Sequence, residues 1–367
     1  MSDITISRGV RSNLLALQNI AAGRETIQGR LASGKKVNSA LDNPTNFFTA
    51  ASLNSRSNDL GALLDGMSNG IKTLEAADNG LKSITKTVES LQSTIRQARQ
   101  DKSWQGESYA FTATAGTGNI VFTGGAVGTT AVTVAVTANA SVDDVVAAIN
   151  GNSSLTSKVR ASNDNGKLRV ENLSTATLTV TDTAVATTGT GGTIGGNTVR
   201  ADLVKQFNDL RQQLDRTAED ASFNGINLLR GDSLAITFNE TGSSSLNIQS
   251  KGGQAINSTN LGIDTQATSV ADTDVGLDAI LGKLSTALGS LRSQSSSFGS
   301  NLSVVQNRQD FSKSMINTLR GGADNLTLAD QNEEGANLLA LNTRAQLATS
   351  ALSFASQGDQ QVLQFLR

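Results

Sequence analysis

The chain has 367 residues, 37% hydrophobic, 4% aromatic and 17% charged, with 35 glycines, one proline and neither cysteine nor histidine. Without those two residue types, Ser-His-Asp, Cys-His and His-Glu-x-x-His catalysis, disulfides, iron–sulfur clusters and thiolate zinc sites all fall away, and no cofactor is expected. Thirty basic residues against 32 acidic ones give a net charge of −2, too balanced for a nucleic-acid partner, and no run approaches the roughly 20 apolar residues of a membrane helix.

The opening residues, Met1 to Val10, lack the charged and apolar regions of a signal peptide, so the expectation is a cytoplasmic protein or one exported without a cleaved signal. From there Val10, Leu14, Leu17, Ile20, Ile27 and Leu31 mark one face of a first amphipathic helix. Gly34 is placed to end it, and Asp42-Asn43-Pro44 reads as a turn whose proline opens the next helix. Residues 1–43 thus form one segment, with a joint between about Gly34 and Pro44.

Alternate steps of three and four from Leu53 to Ala98 meet apolar residues at 12 of 14 positions; Arg56 and Gly70 are the exceptions. A period of 3.5 held over this length predicts a coiled-coil or bundle helix of about 70 Å within residues 44–104. Residues 105–198 change texture. Ile120-Val121-Phe122 and Val132, Val134, Val136 alternate as strands, and Ser141 is placed as N-cap of a short helix carrying Val142, Val145, Val146 and Ile149. Asp164-Asn165-Gly166 joins two strands as a hairpin turn, and Gly189 to Gly196 reads as a flexible return linker.

In residues 199–273 a third helix carries Val199, Leu203, Phe207, Leu210 and Leu214, followed by a hairpin with Leu234, Ile236 and Phe238 on one arm and Leu246 and Ile248 on the other. Residues 274–328 repeat the long 3.5 period from Leu277 to Leu326, apolar at 12 of 15 positions. Residues 329–367 end the chain on a small, alanine-rich stripe of Leu338, Leu341, Ala345, Ala348, Leu352, Ala355, Val362 and Leu366, with Phe354 and Phe365 beside it. The fold class read from this pattern is mainly α: a long coiled-coil or helical-bundle rod built from both chain ends, with a β-hairpin and a small inserted α+β outer domain. Short amphipathic helices are marginal alone and gain order by packing on each other or on copies of themselves. Both terminal stripes therefore read as a self-assembly interface.

Chemical motifs yield to plainer readings. Gly29 to Lys35 has phosphate-loop spacing, but Lys36 stands where Ser or Thr belongs and Gly29 lies inside a helical pattern, so it reads as a helix end. Asp143-Asp144, Glu219-Asp220 and Glu333-Glu334 read as solvated helix starts and faces, the cluster Arg96, Arg99 and Lys102 as a solvated helix face, and Trp104 with Tyr109 as a junction anchor. The chain is therefore not read as an enzyme.

Three separated segments, Leu31 to Pro44, Ser222-Phe223-Asn224-Gly225-Ile226-Asn227-Leu228-Leu229 and the terminal Val362 to Arg367, resemble bacterial flagellin, whose signatures include an Asn-Ser-Ala stretch after a helix end and FNG-x-x-LL. The resemblance implies a secreted, extracellular subunit of the bacterial flagellum, exported by a type III apparatus and polymerised with itself. It also implies an export chaperone, a filament cap and hook-associated junction proteins as partners. Residues 1–43 and 329–367 would form an inner tube, residues 44–104, 199–232 and 274–328 a surrounding layer, and residues 105–198 the solvent-facing part. Flagellins seen by the innate-immune receptor carry a motif resembling LQRxRELAxQ; here Ser93 and Gln97 replace its Arg and Leu beside Arg96, which implies weak activation. A hook–filament junction protein and a secreted adhesin acting through residues 105–198 are the alternatives.

Overall fold

The computed structural model describes residues 8–112, 115–182 and 191–365. Its helices are α1 (Arg8–Ser33), α2 (Pro44–Gln100), α3 (Val142–Gly151), α4 (Thr198–Asp220), α5 (Asp274–Thr327) and α6 (Gln331–Phe365). Its strands are β1 (Gln105–Ala110), β2 (Gly118–Thr123), β3 (Val132–Val136), β4 (Val159–Asp164), β5 (Lys167–Asn172), β6 (Leu178–Asp182), β7 (Thr193–Ile194), β8 (Leu234–Thr237) and β9 (Ser245–Ile248). The residues divide into two compact units, one of residues 1–67, 237–245 and 307–367, the other of residues 68–236 and 246–306.

In the first unit Leu60, Ile316 and Leu319 form a core with Leu53, Leu63, Leu64 and Met315 around it. The 3.5 period put Arg56 in this seam. The structure puts Ser57 there, fully buried, with Arg320 Nε donating to its hydroxyl at 3.1 Å, while Arg56 turns outward to Glu240 on the β8–β9 turn. The correction follows from cost: a guanidinium inside an apolar seam needs a partner there, and a hydroxyl is far cheaper to satisfy. On the same turn Phe238 lies under Arg308, 5.6 Å from the guanidinium carbon.

In the second unit the α2 seam holds as read, with Leu74, Ala77, Leu81, Ile84, Val88, Leu91, Ile95 and Ala98 buried. On α5 Leu277, Leu284, Leu288, Leu291 and Phe298 are buried as read, but Ile280 and Gln294 are buried where the period pointed to Leu281 and Ser295. Asp78 pairs with Ser295 and Arg99 with Asp278, so these two stretches run antiparallel. Gly80 lets the loop after α4 approach; a Cβ there would meet Ala221 at 2.6 Å and Leu229 at 2.7 Å.

The buried face of α4 is rotated from the one read in sequence. Val199 is 47% exposed, and Arg200, Val204, Phe207, Leu214 and Ala218 are the buried positions. The fully buried Arg200 is held by four acceptors: Asp101 O at 3.0 Å, Ala271 O at 2.7 Å, Arg99 O at 3.3 Å and an Asp274 carboxylate oxygen at 2.8 Å. Its guanidinium stacks on Trp104 at 4.5 Å. Nothing in apolar periodicity signals an arginine at such a position. The neighbouring basic cluster is likewise only partly solvated, since Arg99 and Lys102 pair with Asp278 and Asp274 at the start of α5.

Residues 105–196 contain two sheets, β1-β5-β4 and β3-β2-β6-β7, all antiparallel. They enclose Ile120, Phe122, Val134, Val145, Ile149, Leu155, Leu168, Val170, Leu178 and Ile194. Ser141 caps α3 with a full capping box through Asp144. At the β4–β5 turn Asn165 and Gly166 both take positive φ, 55° and 84°, the requirement of a two-residue hairpin turn. The glycine-rich return, in contrast, is not a linker over its described residues. Thr193 and Ile194 pair with β6, a Cβ on Gly192 would lie 2.9 Å from the Tyr109 hydroxyl, and one on Gly196 would strike the Thr175 backbone at 2.3 Å. Glycine here serves close packing as well as chain freedom.

Candidate functional site

The terminal helices α1 and α6 pack together. Arg30 reaches Glu334 at 3.0 Å and Gly23 faces Leu341, with a Cβ on that glycine 3.3 Å from its methyl. Each contact is seven residues from the other on both helices, in opposite directions, so the pair is antiparallel. The half-buried positions of α1 include Val10, Asn13, Leu17, Ile20, Arg24, Ile27 and Leu31, with Gly23 and Arg30 beside them. Those of α6 include Leu338, Leu341, Ala345, Ala348, Leu352 and Ala355, with Gly335 and Asn342 beside them and the buried Glu334 before them. Steps of three and four run through both sets, the spacing of a two-helix seam. Ala345, Ala348 and Gly23 keep it narrow.

One expected member stands outside this seam: Leu14 is 43% exposed and Asn13 takes its place, while Phe354, read beside the stripe, is 72% exposed. Either sequence step, three or four, satisfies the period from Val10; the register against α6 selects three. Val362, Phe365 and Leu366 lie outside the residues whose side chains are described. Glu334, read as solvated, is 8% exposed and neutralised by Arg30, as a buried carboxylate requires. Arg24 sits mid-seam with its Nε buried and lacking a hydrogen-bond partner among the described residues.

No residue of α1 is fully buried. Leu14 and Leu15 on α1, and Leu339, Leu347 and Phe354 on α6, are each 43–72% exposed. The three on α6 are eight and seven residues apart, about two helical turns, and so share one face. A large apolar side chain gains about 1.5–3 kcal/mol on full burial, so a partner covering this face gains several such increments. The pair is thus half of a larger packing problem: its inner seam is satisfied within one chain and its outer faces are not.

The joint beneath the pair is built from backbone. Gly34 ends α1 at φ +70°, Lys36 N–H donates to Thr327 O at 2.8 Å, and Ala329 N–H donates to Gly34 O at 3.0 Å. The short crossing between α1 and α2 is closed by Asp42, whose carboxylate accepts from Ser39 N at 2.9 Å and Asn38 N at 3.0 Å. Those bonds hold its carboxyl below the usual carboxylate range. Leu41 beside it is 96% exposed. Asn43 accepts from Asn46 N–H at 3.0 Å, capping α2 as Pro44 opens it.

Ser93, Arg96 and Gln97 are exposed on α2, opposite the buried Leu91, Ile95 and Ala98. Gly29 lies on α1, as expected of a helix rather than a phosphate loop. Among the described residues no group of three or more acidic side chains is arranged to hold a metal, and no helix is long and apolar enough to cross a membrane.

Comparison with known proteins gives three family matches: the bacterial flagellin N-terminal helical region over residues 10–113, the flagellin C-terminal helical region over residues 281–366, and the flagellin hook IN motif over residues 119–174. The last covers β2 to β5 and α3 of the inserted module. Flagellin FljK of Caulobacter vibrioides is 29% identical over 170 residues, 45% of this chain and 59% of that protein. Flagellin A of Rhizobium meliloti is 25% identical across the whole of both chains. Flagellin D of the same species is 34% identical over 91 residues, 25% of this chain and 23% of that protein. The chain thus spans 59% of the Caulobacter relative's length.

Proposed function

Because the chain belongs to the bacterial flagellin family, we propose that it is the structural subunit of a flagellar filament, polymerising by folding of α1 and α6 coupled to assembly. The observation that carries this reading is the α1–α6 pair, which satisfies one seam and leaves Leu14, Leu15, Leu339, Leu347 and Phe354 uncovered. Ordering the helices costs conformational entropy, and burial of those faces against neighbouring copies offsets it. In this reading residues 1–43 and 329–367 line an inner tube, α2, α4 and α5 surround it, and residues 105–198 face solvent. An export chaperone, the filament cap and the junction proteins follow as partners. The subunit acts through surfaces, with no catalytic step.

Deleting residues 338–367 tests this. The truncated chain should keep the unfolding transition of its second unit, read from the lone Trp104, and form no filaments when seeded with filament fragments and viewed by electron microscopy. Normal filaments from the truncated chain would show that the terminal helices do not drive assembly.

A further inference from the structure

The sequence contains five Asn-Gly pairs: Asn69-Gly70, Asn79-Gly80, Asn150-Gly151, Asn165-Gly166 and Asn224-Gly225. Such pairs are prone to intramolecular deamidation, because glycine leaves the following backbone nitrogen sterically open. The fold closes four of them in different ways. Gly70 and Gly80 lie inside α2, packed against Ile236 and against Ala221 and Leu229. The Asn150 amide is held at both ends by Ala161, donating to its O and accepting from its N, each at 2.9 Å. At Asn165 the attacking group is occupied: Gly166 N–H donates to Asn163 Oδ1 at 2.9 Å, and the turn closes a six-pair ladder between β4 and β5.

Asn224-Gly225 has none of these protections. Both residues are exposed, with φ of 49° and 79°. Their turn is held by a single isolated bridge, Phe223 to Ile226, with two hydrogen bonds of 3.0 Å. Among the described residues nothing engages the Asn224 side chain or Gly225 N–H.

We propose that Asn224 is a site of spontaneous deamidation, selected by the fold from five chemically similar candidates. The deprotonated Gly225 nitrogen attacks Asn224 Cγ, forming the C–N bond of a five-membered succinimide. The side-chain nitrogen takes up a proton and leaves as ammonia. One water then opens either imide carbonyl, returning the proton to the ring nitrogen and yielding aspartate or, through the side-chain carbonyl linkage, isoaspartate. The sum consumes one water, releases one ammonia and needs no oxidant, reductant or enzyme.

The location gives the change a structural consequence. Asn227, three residues on, donates to Ala218 O and Glu219 O, both at 2.8 Å, and accepts from Leu229 N–H at 2.9 Å. Isoaspartate adds a methylene to the main chain just before this hub, so the modified bridge cannot close in its native register.

The test incubates the purified full-length chain at neutral and mildly alkaline pH and quantifies aspartate and isoaspartate in the five peptides by mass spectrometry, alongside the same chain in urea. In urea all five should react at similar rates. In the folded chain Asn224 should react at least about tenfold faster than each of the other four, equivalent to about 1.4 kcal/mol in barrier. Equal rates at Asn165 and Asn224 in the folded chain, or a silent Asn224 where the unfolded chain reacts, would overturn the proposal. An Asn163→Ala variant, which frees Gly166 N–H, should raise the Asn165 rate toward that of Asn224; no change would refute the role given to that hydrogen bond.

Discussion

Arg200 holds together three parts of the second unit that are far apart in sequence: the end of α2, the start of α4 and the start of α5. Arg200→Ala removes four hydrogen bonds and the stacking on Trp104. The Ala271 and Arg99 carbonyls then lose a charged donor in the interior, while Asp274 keeps Lys102. Stripping a charged donor from these interior carbonyls and the stack from Trp104 costs about 3–5 kcal/mol together. For a unit of this size each kcal/mol moves the melting temperature by about 2–4 °C, so the expected drop is about 6–20 °C. The assay is built in, since Trp104 is the lone tryptophan and touches the mutated side chain: its fluorescence against temperature and urea reports this unit directly. Arg200→Lys keeps the charge but cannot reach four acceptors with one ammonium, so it should lose more than half of the same stability. A Trp104 transition displaced by less than about 1 kcal/mol in the alanine variant, within the scatter of ordinary surface changes, would refute the account of Arg200 as the fastening of this junction.

Acid should loosen the same junction. Hydrogen bonds from Lys102 and Arg200 lower the Asp274 pKa; burial pushes Asp101 up, but its bonds from Asn197 and Ser103, with the Arg200 charge, outweigh it and lower that pKa too. Carboxylates depressed in the folded state contribute fully above their unfolded value, about 3.8, and lose that contribution as pH falls through the folded value; the Trp104 midpoint should therefore hold to about pH 4 and drop below it, and a flat profile to about pH 2 would count against these bonds. Gly80→Ala places a methyl 2.6 Å from the Ala221 side chain and should cost about 1–3 kcal/mol by overpacking, measured by urea unfolding. Ser141→Ala breaks the α3 capping box and should cost about 1 kcal/mol, read as faster hydrogen exchange in residues 142–145. A receptor-reporter assay should show weak activation; full potency in this chain would contradict the diverged motif.

The long seams were legible because an apolar period of 3.5 is a property of many residues at once, and one exception such as Arg56 shifts the local reading by only one position. Turn and cap chemistry was legible for a different reason: Gly34, Pro44, Ser141 and Asn165-Gly166 each meet a backbone requirement that few residues satisfy. What escaped were polar groups whose partners lie far along the chain. Arg200 is buried because acceptors 71 and 99 residues away converge on it, and Glu334 is buried because Arg30, 304 residues away, neutralises it. The glycine-rich return escaped similarly, since composition cannot distinguish a glycine that bends the chain from one that lets Thr175 or Tyr109 come close. At the terminal pair the period left one step open, Asn13 or Leu14 after Val10, since that choice depends on the register between α1 and α6.

The inserted module leaves and rejoins the frame at one spot. Asn197 Nδ2, where the chain returns, donates to Asp101 Oδ1, where it departs, at 2.6 Å, and Thr175 at the module's base is clasped by Asp272 at 2.7 and 2.9 Å. Everything between the two strands of this doorway hangs from a fixed collar, and the helices below it close on themselves whatever hangs there. Cutting after Trp104 and before Asn197 therefore removes the module through one pair of chain crossings, and a chain rejoined there by a short linker should keep the Trp104 unfolding transition of the helices.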